Sequence, residues 1–148
     1  MSEIVIRPLT TEDRAAWEEL WQGYLTFYKA TVSPETTATT FARLTDQGEP
    51  MGGFIAERDG KALGIVNYVL HRTTWSEKEI CYLQDLFTSA EARGHGIGRK
   101  LIEAVRQMAQ DRGCFRVYWQ THEDNRQAQE LYDKVAQKSG FIVYRQPL

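Results

Sequence analysis

Apolar positions along this chain change period several times. In "EIVIRPL" they alternate and are β-branched, which predicts a first strand ended near Pro8. The period then becomes helical. Trp17, Leu20, Trp21, Tyr24, Leu25 and Tyr28 recur on one stripe of "TTEDRAAWEELWQGYLTFYK", with Thr10 or Thr11 as the cap. "SPETTATTFARLTD" predicts a second helix with Ser33 in the cap position and Pro34 in the first turn. Its threonines are weak helix formers. "MGGFIAERDGKALGIVNYVLHR" predicts two strands joined at Asp59-Gly60, a dipeptide suited to a tight hairpin turn. "KEICYLQDLFTS" is a third β-rich run.

A glycine cluster follows, and then a helix whose stripe is Ile97, Leu101, Ile102, Val105, Met108 and Ala109, with Gly113 placed to end it. "FRVYWQT" reads as a strand. Asp124 or Asn125 caps a further helix with Ala128, Leu131, Tyr132, Val135 and Ala136 on its apolar stripe, and "GFIVYR" closes as a strand. The order is β-α-α-β-β-β-α-β-α-β. It predicts an α/β (α+β) fold: a mixed, mostly antiparallel sheet with helices on both faces, spanning residues 1–148 as one domain.

Composition narrows the function. The formal net charge is −2 and the pI about 5.9, which argues against a general nucleic-acid binder. "MSEIVIRPLTTEDR" has no apolar signal core, and no run reaches the length of a membrane span. Cys81 and Cys114 form no CxxC pair, as expected of buried thiols in a reducing, cytoplasmic setting. His71, His95 and His122 lie far apart, and "HEDNR" is not HExxH, so no metal site is expected.

The glycine cluster is the strongest chemical signal. "ARGHGIGRKL" packs Gly94, Gly96 and Gly98 among Arg93, His95, Ile97, Arg99 and Lys100, directly before the helix. It is not a P-loop: five residues after Gly94 stands Arg99, and Lys100 is followed by Leu101 rather than Ser or Thr. It is not the dinucleotide fingerprint either, because GxGxG misses GxGxxG by one residue. Unpaired amides at a helix start, with flexible glycines and flanking cations, suit a pyrophosphate. The glycines alone fit a plain turn before a packing helix equally well.

The surroundings decide between these. "YLQDLFTSAEARGHGIG" and, later, "NRQAQELYDKVAQKSGFIVY" resemble the two signatures of the GNAT acyl-CoA N-acetyltransferase superfamily: Arg-x-x-Gly-x-Gly after a strand, then Asn-x-x-Ala-x-x-Leu-Tyr followed by Gly-Phe. Arg93, Gly96 and Gly98 match the first, and Asn125, Ala128, Leu131, Tyr132, Gly140 and Phe141 the second. "YLQDLF" and "YLTFYK" are similar to the polyamine branch, and the "VYWQTHEDN" region to a microbial branch that includes histone acetyltransferases.

The resemblance implies acetyl-CoA as acyl donor. Its pyrophosphate would rest on Arg93 to Arg99, and its pantetheine arm on backbone groups of Leu86, Phe87 and Thr88; Asn125, of the second signature, would also bind the cofactor. It implies direct attack by a primary amine, either a small amine, a polyamine-like molecule or an exposed lysine of a protein. Neither cysteine is needed. Tyr132 matches the tyrosine that protonates the departing thiolate. Tyr24 and Tyr28 would border the acceptor. Homodimers are common in the superfamily, and "YDKVAQKSGFIVYRQPL" is the segment here that would take part.

The base is where the chain departs from the pattern. The polyamine branch has glutamate at the position of Gln84, and glutamine takes up no proton at useful pH. A primary amine with pKa ~10 leaves roughly one molecule in a thousand as free base at neutral pH, so an acceptor is needed. Asp85 is the first candidate, acting through water. Strand neighbours point to opposite faces unless a bulge intervenes. Glu79 and Glu19 are weaker candidates, and Gln84 is left to orient a substrate or a water. Gln84 also leaves open a rival reading: a catalytically silent acyl-CoA-binding module of the same fold.

Overall fold

The computed structural model describes residues 2–148. Its strands are β1 (Val5–Pro8), β2 (Met51–Arg58), β3 (Lys61–Thr73), β4 (Ser76–Thr88) and β5 (Val117–Tyr118). Its α-helices are α1 (Arg14–Phe27), α2 (Pro34–Leu44), α3 (Ile97–Asp111) and α4 (Arg126–Val135). The strands form one sheet in sequential order. β1 to β4 run antiparallel, and β5 joins β4 in parallel after the crossover through α3. The mixed α+β sheet expected from the pattern is what the chain forms.

Local chemistry explains most boundaries. Asp59 and Gly60 both take positive φ (54° and 77°), the backbone that a two-residue hairpin turn needs. Ser33 Oγ accepts from Thr36 N at 3.1 Å to start α2, with Pro34 in its first turn. Thr10 and Asp13 cap each other around a 3-10 turn, and α1 begins only at Arg14. Asp13 also takes two bonds from Arg7, at 2.8 and 2.9 Å, which ties the end of β1 to the start of α1.

Each face of the sheet has its own core. On one, Trp17, Leu20, Trp21 and Leu25 of α1 and Phe41 and Leu44 of α2 pack on Ile55 and Ile65. On the other, Ile97, Leu101, Ile102, Val105 and Ala109 of α3 pack on Ala56, Val66, Leu70, Cys81 and Leu83. Both faces are therefore covered, as the apolar run "LGIVNYVL" in β3 requires.

Two expected strands differ. "FRVYWQT" pairs with β4 only at Val117 and Tyr118. "GFIVYR" forms no strand at all: it leaves Gly140 at φ +88° with its apolar side chains exposed. β propensity describes a fit to a sheet surface, and pairing needs an edge within reach. Helix α4 also stops one residue short of the expected stripe, at Val135, with Ala136 extended.

Candidate active site

The short pairing of β5 creates the site. β4 and β5 touch at Cys81–Val117 and Tyr82–Tyr118 and then part. Between them opens a small cleft of about 30 Å³, lined by Tyr24, Tyr28, Leu83, Gln84, Leu86, Trp119, Gln120 and Tyr132. Residues from α1, β4, the segment after β5 and α4 thus converge on one point.

A bulge in β4 shapes the cleft floor. Tyr68 faces Leu83, whereas the adjacent Asn67 faces Asp85, so Gln84 is the extra residue. Gln84 is exposed at the cleft and Asp85 is 9% exposed. Asn67 Nδ2 donates to Asp85 Oδ2 at 3.0 Å, and Trp17 Nε1 holds Asn67 Oδ1 at 3.1 Å. The Tyr24 hydroxyl lies near the same carboxylate. Burial raises the Asp85 pKa above the usual carboxylate range, and Asn67 and Tyr24 hold it back. Burial, together with the Asp85 charge, raises that of Tyr24. Asp85 does not itself line the cleft; Tyr24, whose hydroxyl lies near that carboxylate, does.

Tyr24 is held firmly. It stacks on Trp21 at 5.5 Å, tilts against Tyr28 at 4.9 Å and meets Phe87 edge-on at 6.4 Å. α1 can approach β4 this closely because of Gly23: a Cβ there would lie 2.8 Å from the Phe87 ring. Across the cleft, Tyr132 packs edge-on against Trp119 at 5.5 Å. Burial, with a smaller contribution from Tyr28, raises its pKa, so it carries its proton at neutral pH.

The glycine loop follows the end of β4 and leads into α3. Gly94 and Gly96 have φ of 84° and 72°, with open space where a Cβ would stand. Gly96 caps α3 in the left-handed conformation, and Lys100 N is the first amide to bond back, to Gly96 O at 3.1 Å. The amides of Ile97, Gly98 and Arg99 therefore have no partner in the helix. Arg93, Arg99, Lys100 and His95 are exposed around them, and the first turn holds no acid. This donor set fits a phosphate group.

Not every expected residue plays its expected part. Ser89 N bonds Leu63 O at 2.9 Å. By antiparallel alternation Phe87 also pairs with β3, at Ile65, while the amides of Leu86 and Thr88 turn toward the split. Phe87 supplies a wall beside Tyr24 instead. Asn125 spends its side chain capping α4, accepting from Ala128 N at 3.3 Å. Glu19 and Glu79 are exposed and do not line the cleft. Asn67 and its clamp on Asp85 went unread in the sequence. The one signal was a polar residue inside the apolar run "LGIVNYVL".

The sequence matches the model of the acetyltransferase (GNAT) family over residues 15–136. The chain belongs to the GNAT family. It is an acetyl-CoA-dependent acyltransferase. Among its GNAT relatives, it is 40% identical over 144 residues to the D-amino-acid N-acetyltransferase HPA3 of Saccharomyces cerevisiae, covering 96% of this chain and 89% of that protein. It is 34% identical over 89 residues to the thialysine N-epsilon-acetyltransferase of Bos taurus, covering 60% of this chain and 48% of that one. The GNAT fold is shared with the aminoglycoside acetyltransferase AAC(6')-Iy, solved with a bisubstrate analogue, at a TM-score of 0.86 and 17% identity over 99% of both chains. Among the described residues no helix is long and apolar enough to cross a membrane, and no three metal-ligating side chains gather.

Proposed function

We propose that this chain is a single, cytoplasmic acetyltransferase domain that acetylates a small primary amine, with Asp85 as base and Tyr132 as acid. The observation that carries this reading is the β4 bulge. It turns Asp85 under the cleft, between Asn67 and Tyr24, while Tyr132 faces Gln84 across a gap of about 30 Å³.

Acetyl-CoA supplies the activated acetyl group. The free amides of Ile97, Gly98 and Arg99, with Arg93 and Lys100, would hold its pyrophosphate. The amides of Leu86 and Thr88 would align the pantetheine arm, and one of them would hold the oxygen of the acetyl carbonyl as charge develops there. Tyr24 passes the proton lost by the attacking amine toward Asp85, whose affinity for a proton burial raises. Gln84 and Tyr28 orient the amine or a water beside it. Tyr132 delivers a proton to the departing sulfur.

The acceptor reading draws on two features. The cleft is narrow and lined by tyrosine and glutamine side chains, with a single carboxylate beneath it. The 40% identical relative is named for D-amino acids. Small amino acids and short amines therefore come before polyamines and protein lysines. A homodimer is part of this reading.

The experiment is a screen of D-amino acids, L-amino acids, polyamines and a lysine peptide, read by free-thiol release from acetyl-CoA, alongside the thermal shift caused by acetyl-CoA. Thiol release with a small amine and a raised Tm are expected. A raised Tm with no turnover on any amine would favour the silent acyl-CoA-binding module. No thermal shift would sink both readings.

A further inference from the structure

A single buried amide joins the helix core to the site. Asn67 is 2% exposed, in the middle of the apolar run of β3. A buried amide costs free energy unless its oxygen and its nitrogen both find partners. Here each finds one. Trp17 Nε1 donates to Asn67 Oδ1 at 3.1 Å, and Asn67 Nδ2 donates to Asp85 Oδ2 at 3.0 Å. Opposite Asn67 in β2 stands Gly53, where a Cβ would lie 3.3 Å from Oδ1. The missing side chain gives the amide its room.

The three partners differ in what they can do. An indole N–H only donates, and an ionised carboxylate only accepts. An amide fits either way round, because its oxygen and nitrogen have nearly the same shape. The indole removes that freedom. Only the oxygen of Asn67 can face it, so only the nitrogen can face Asp85. Trp17 cannot turn away: it is fully buried, stacks on Trp21 at 5.2 Å and packs against Phe41 at 5.3 Å.

The titratable groups near Asp85 are Tyr24 of α1 and Tyr82 of β4. Burial raises the pKa of both, so both are neutral at physiological pH. The direction of the amide dipole then decides which form of the Asp85 carboxyl group is favoured. An N–H favours the carboxylate. A carbonyl oxygen would favour the protonated acid, which has a hydroxyl to donate.

We propose that Trp17 is a positioning residue for acetyl transfer: its indole N–H fixes the Asn67 amide with nitrogen toward Asp85, and so holds Asp85 as the carboxylate that takes up the amine's proton. Trp17 does not line the cleft and acts through Asn67. The proton leaves the attacking nitrogen and ends on Asp85. Asn67 already engages Oδ2, which leaves Oδ1 as the better seat for it. This role rests on the reading of Asp85 as base; the orientation of the amide does not.

Trp17 is replaced by β-(3-benzothienyl)alanine, which keeps the bicyclic ring and puts sulfur in place of the N–H. The Asp85 titration is followed by NMR of carboxyl-labelled aspartate, with Asp85→Asn to assign the signal. Its midpoint is expected to rise by about one pH unit, a tenfold change in proton affinity. Asn67→Leu, which removes the amide itself, is expected to raise it as well. An unchanged midpoint in the benzothienyl protein overturns the proposal. Initial rates of thiol release from acetyl-CoA with a D-amino acid are expected to show the acid limb of kcat/KM moved the same way. The KM for acetyl-CoA stays unchanged, and the rate recovers at high pH. An equal loss at every pH would mark a merely structural role and overturn the proposal. A raised midpoint with an unmoved acid limb would remove Asp85 as base, and with it the catalytic role of Trp17, while the amide orientation stood.

A second measurement needs no Trp17 variant. In nitrogen-labelled wild-type protein the Trp17 indole resonance is expected to follow the Asp85 titration with the same midpoint, and to lose that response in Asn67→Leu. An indole signal indifferent to the Asp85 titration would mean that Asn67 does not couple the two, and would overturn the proposal.

Discussion

Replacing Asp85 by asparagine pits activity against stability. The substitution keeps the volume, and it keeps an oxygen for Asn67 Nδ2 to bond at about the present 3.0 Å, so no cavity term enters. Only the charge goes. In the wild type, burial holds the folded-state pKa of Asp85 above its unfolded value. Between the two values the native state binds the extra proton, so stability falls as pH rises from the ordinary carboxylate range through the raised value. Above that point the folded protein carries a buried carboxylate whose desolvation the Asn67 bond and the nearby Tyr24 hydroxyl only partly offset. Asp85→Asn removes this cost. Its Tm is expected to match or exceed the wild type at neutral pH, with an advantage that shrinks toward acid.

Activity moves the other way. Loss of a general base costs typically 10²- to 10⁴-fold, or about 3–5 kcal/mol of transition-state stabilisation. Initial rates of thiol release from about pH 5 to 9, beside thermal melts over the same range, test both signs. A variant with full activity and the wild-type pH profile would place the base elsewhere. A clear drop in Tm at neutral pH would refute the buried-charge argument even if activity fell.

Two further outcomes follow from the geometry. Tyr132→Phe keeps the ring against Trp119 but removes the proton. It is expected to lower kcat at least tenfold while the acetyl-CoA thermal shift stays within error; unchanged turnover would remove Tyr132 from the acid role. Asp13→Ala is expected to lower stability at neutral pH by about 2 kcal/mol. Arg7 and the Thr10 backbone hold the Asp13 pKa at about 2, below the ordinary carboxylate range, and each tenfold change in proton affinity corresponds to ~1.4 kcal/mol. Arg7, at 33% side-chain exposure, is partly screened, which makes that an upper figure. This contribution is complete above the ordinary carboxylate range and disappears as pH falls toward 2, so wild-type and variant melts should converge there; a constant gap across that window would contradict the assignment.

Much of this protein was legible along the chain because its signals are local. A helical stripe, a Ser33-Pro34 start, an Asp59-Gly60 turn and glycines before α3 each fix backbone conformation within a few residues, and the fold follows them. The two family signatures are likewise local, and they named the acetyl-CoA chemistry before any distance was known. Even Tyr24, Tyr28, Gln84 and Tyr132, far apart in sequence, could be nominated, though nothing in the chain said that they line one cleft.

What the chain alone left open depends on pairing between distant segments. Whether Asp85 and Gln84 share a face turned on one register shift against β3, and register is a property of two strands, not one. Asn67 looked like an interruption in an apolar strand, and became the clamp on Asp85 only once Trp17 and β4 lay beside it. "FRVYWQT" and "GFIVYR" both have strand composition. Only the tertiary structure shows that the first keeps two paired residues and so opens the cleft, while the second pairs with nothing. Sequence sets what each segment prefers; long-range hydrogen bonding and burial decide which preferences are met.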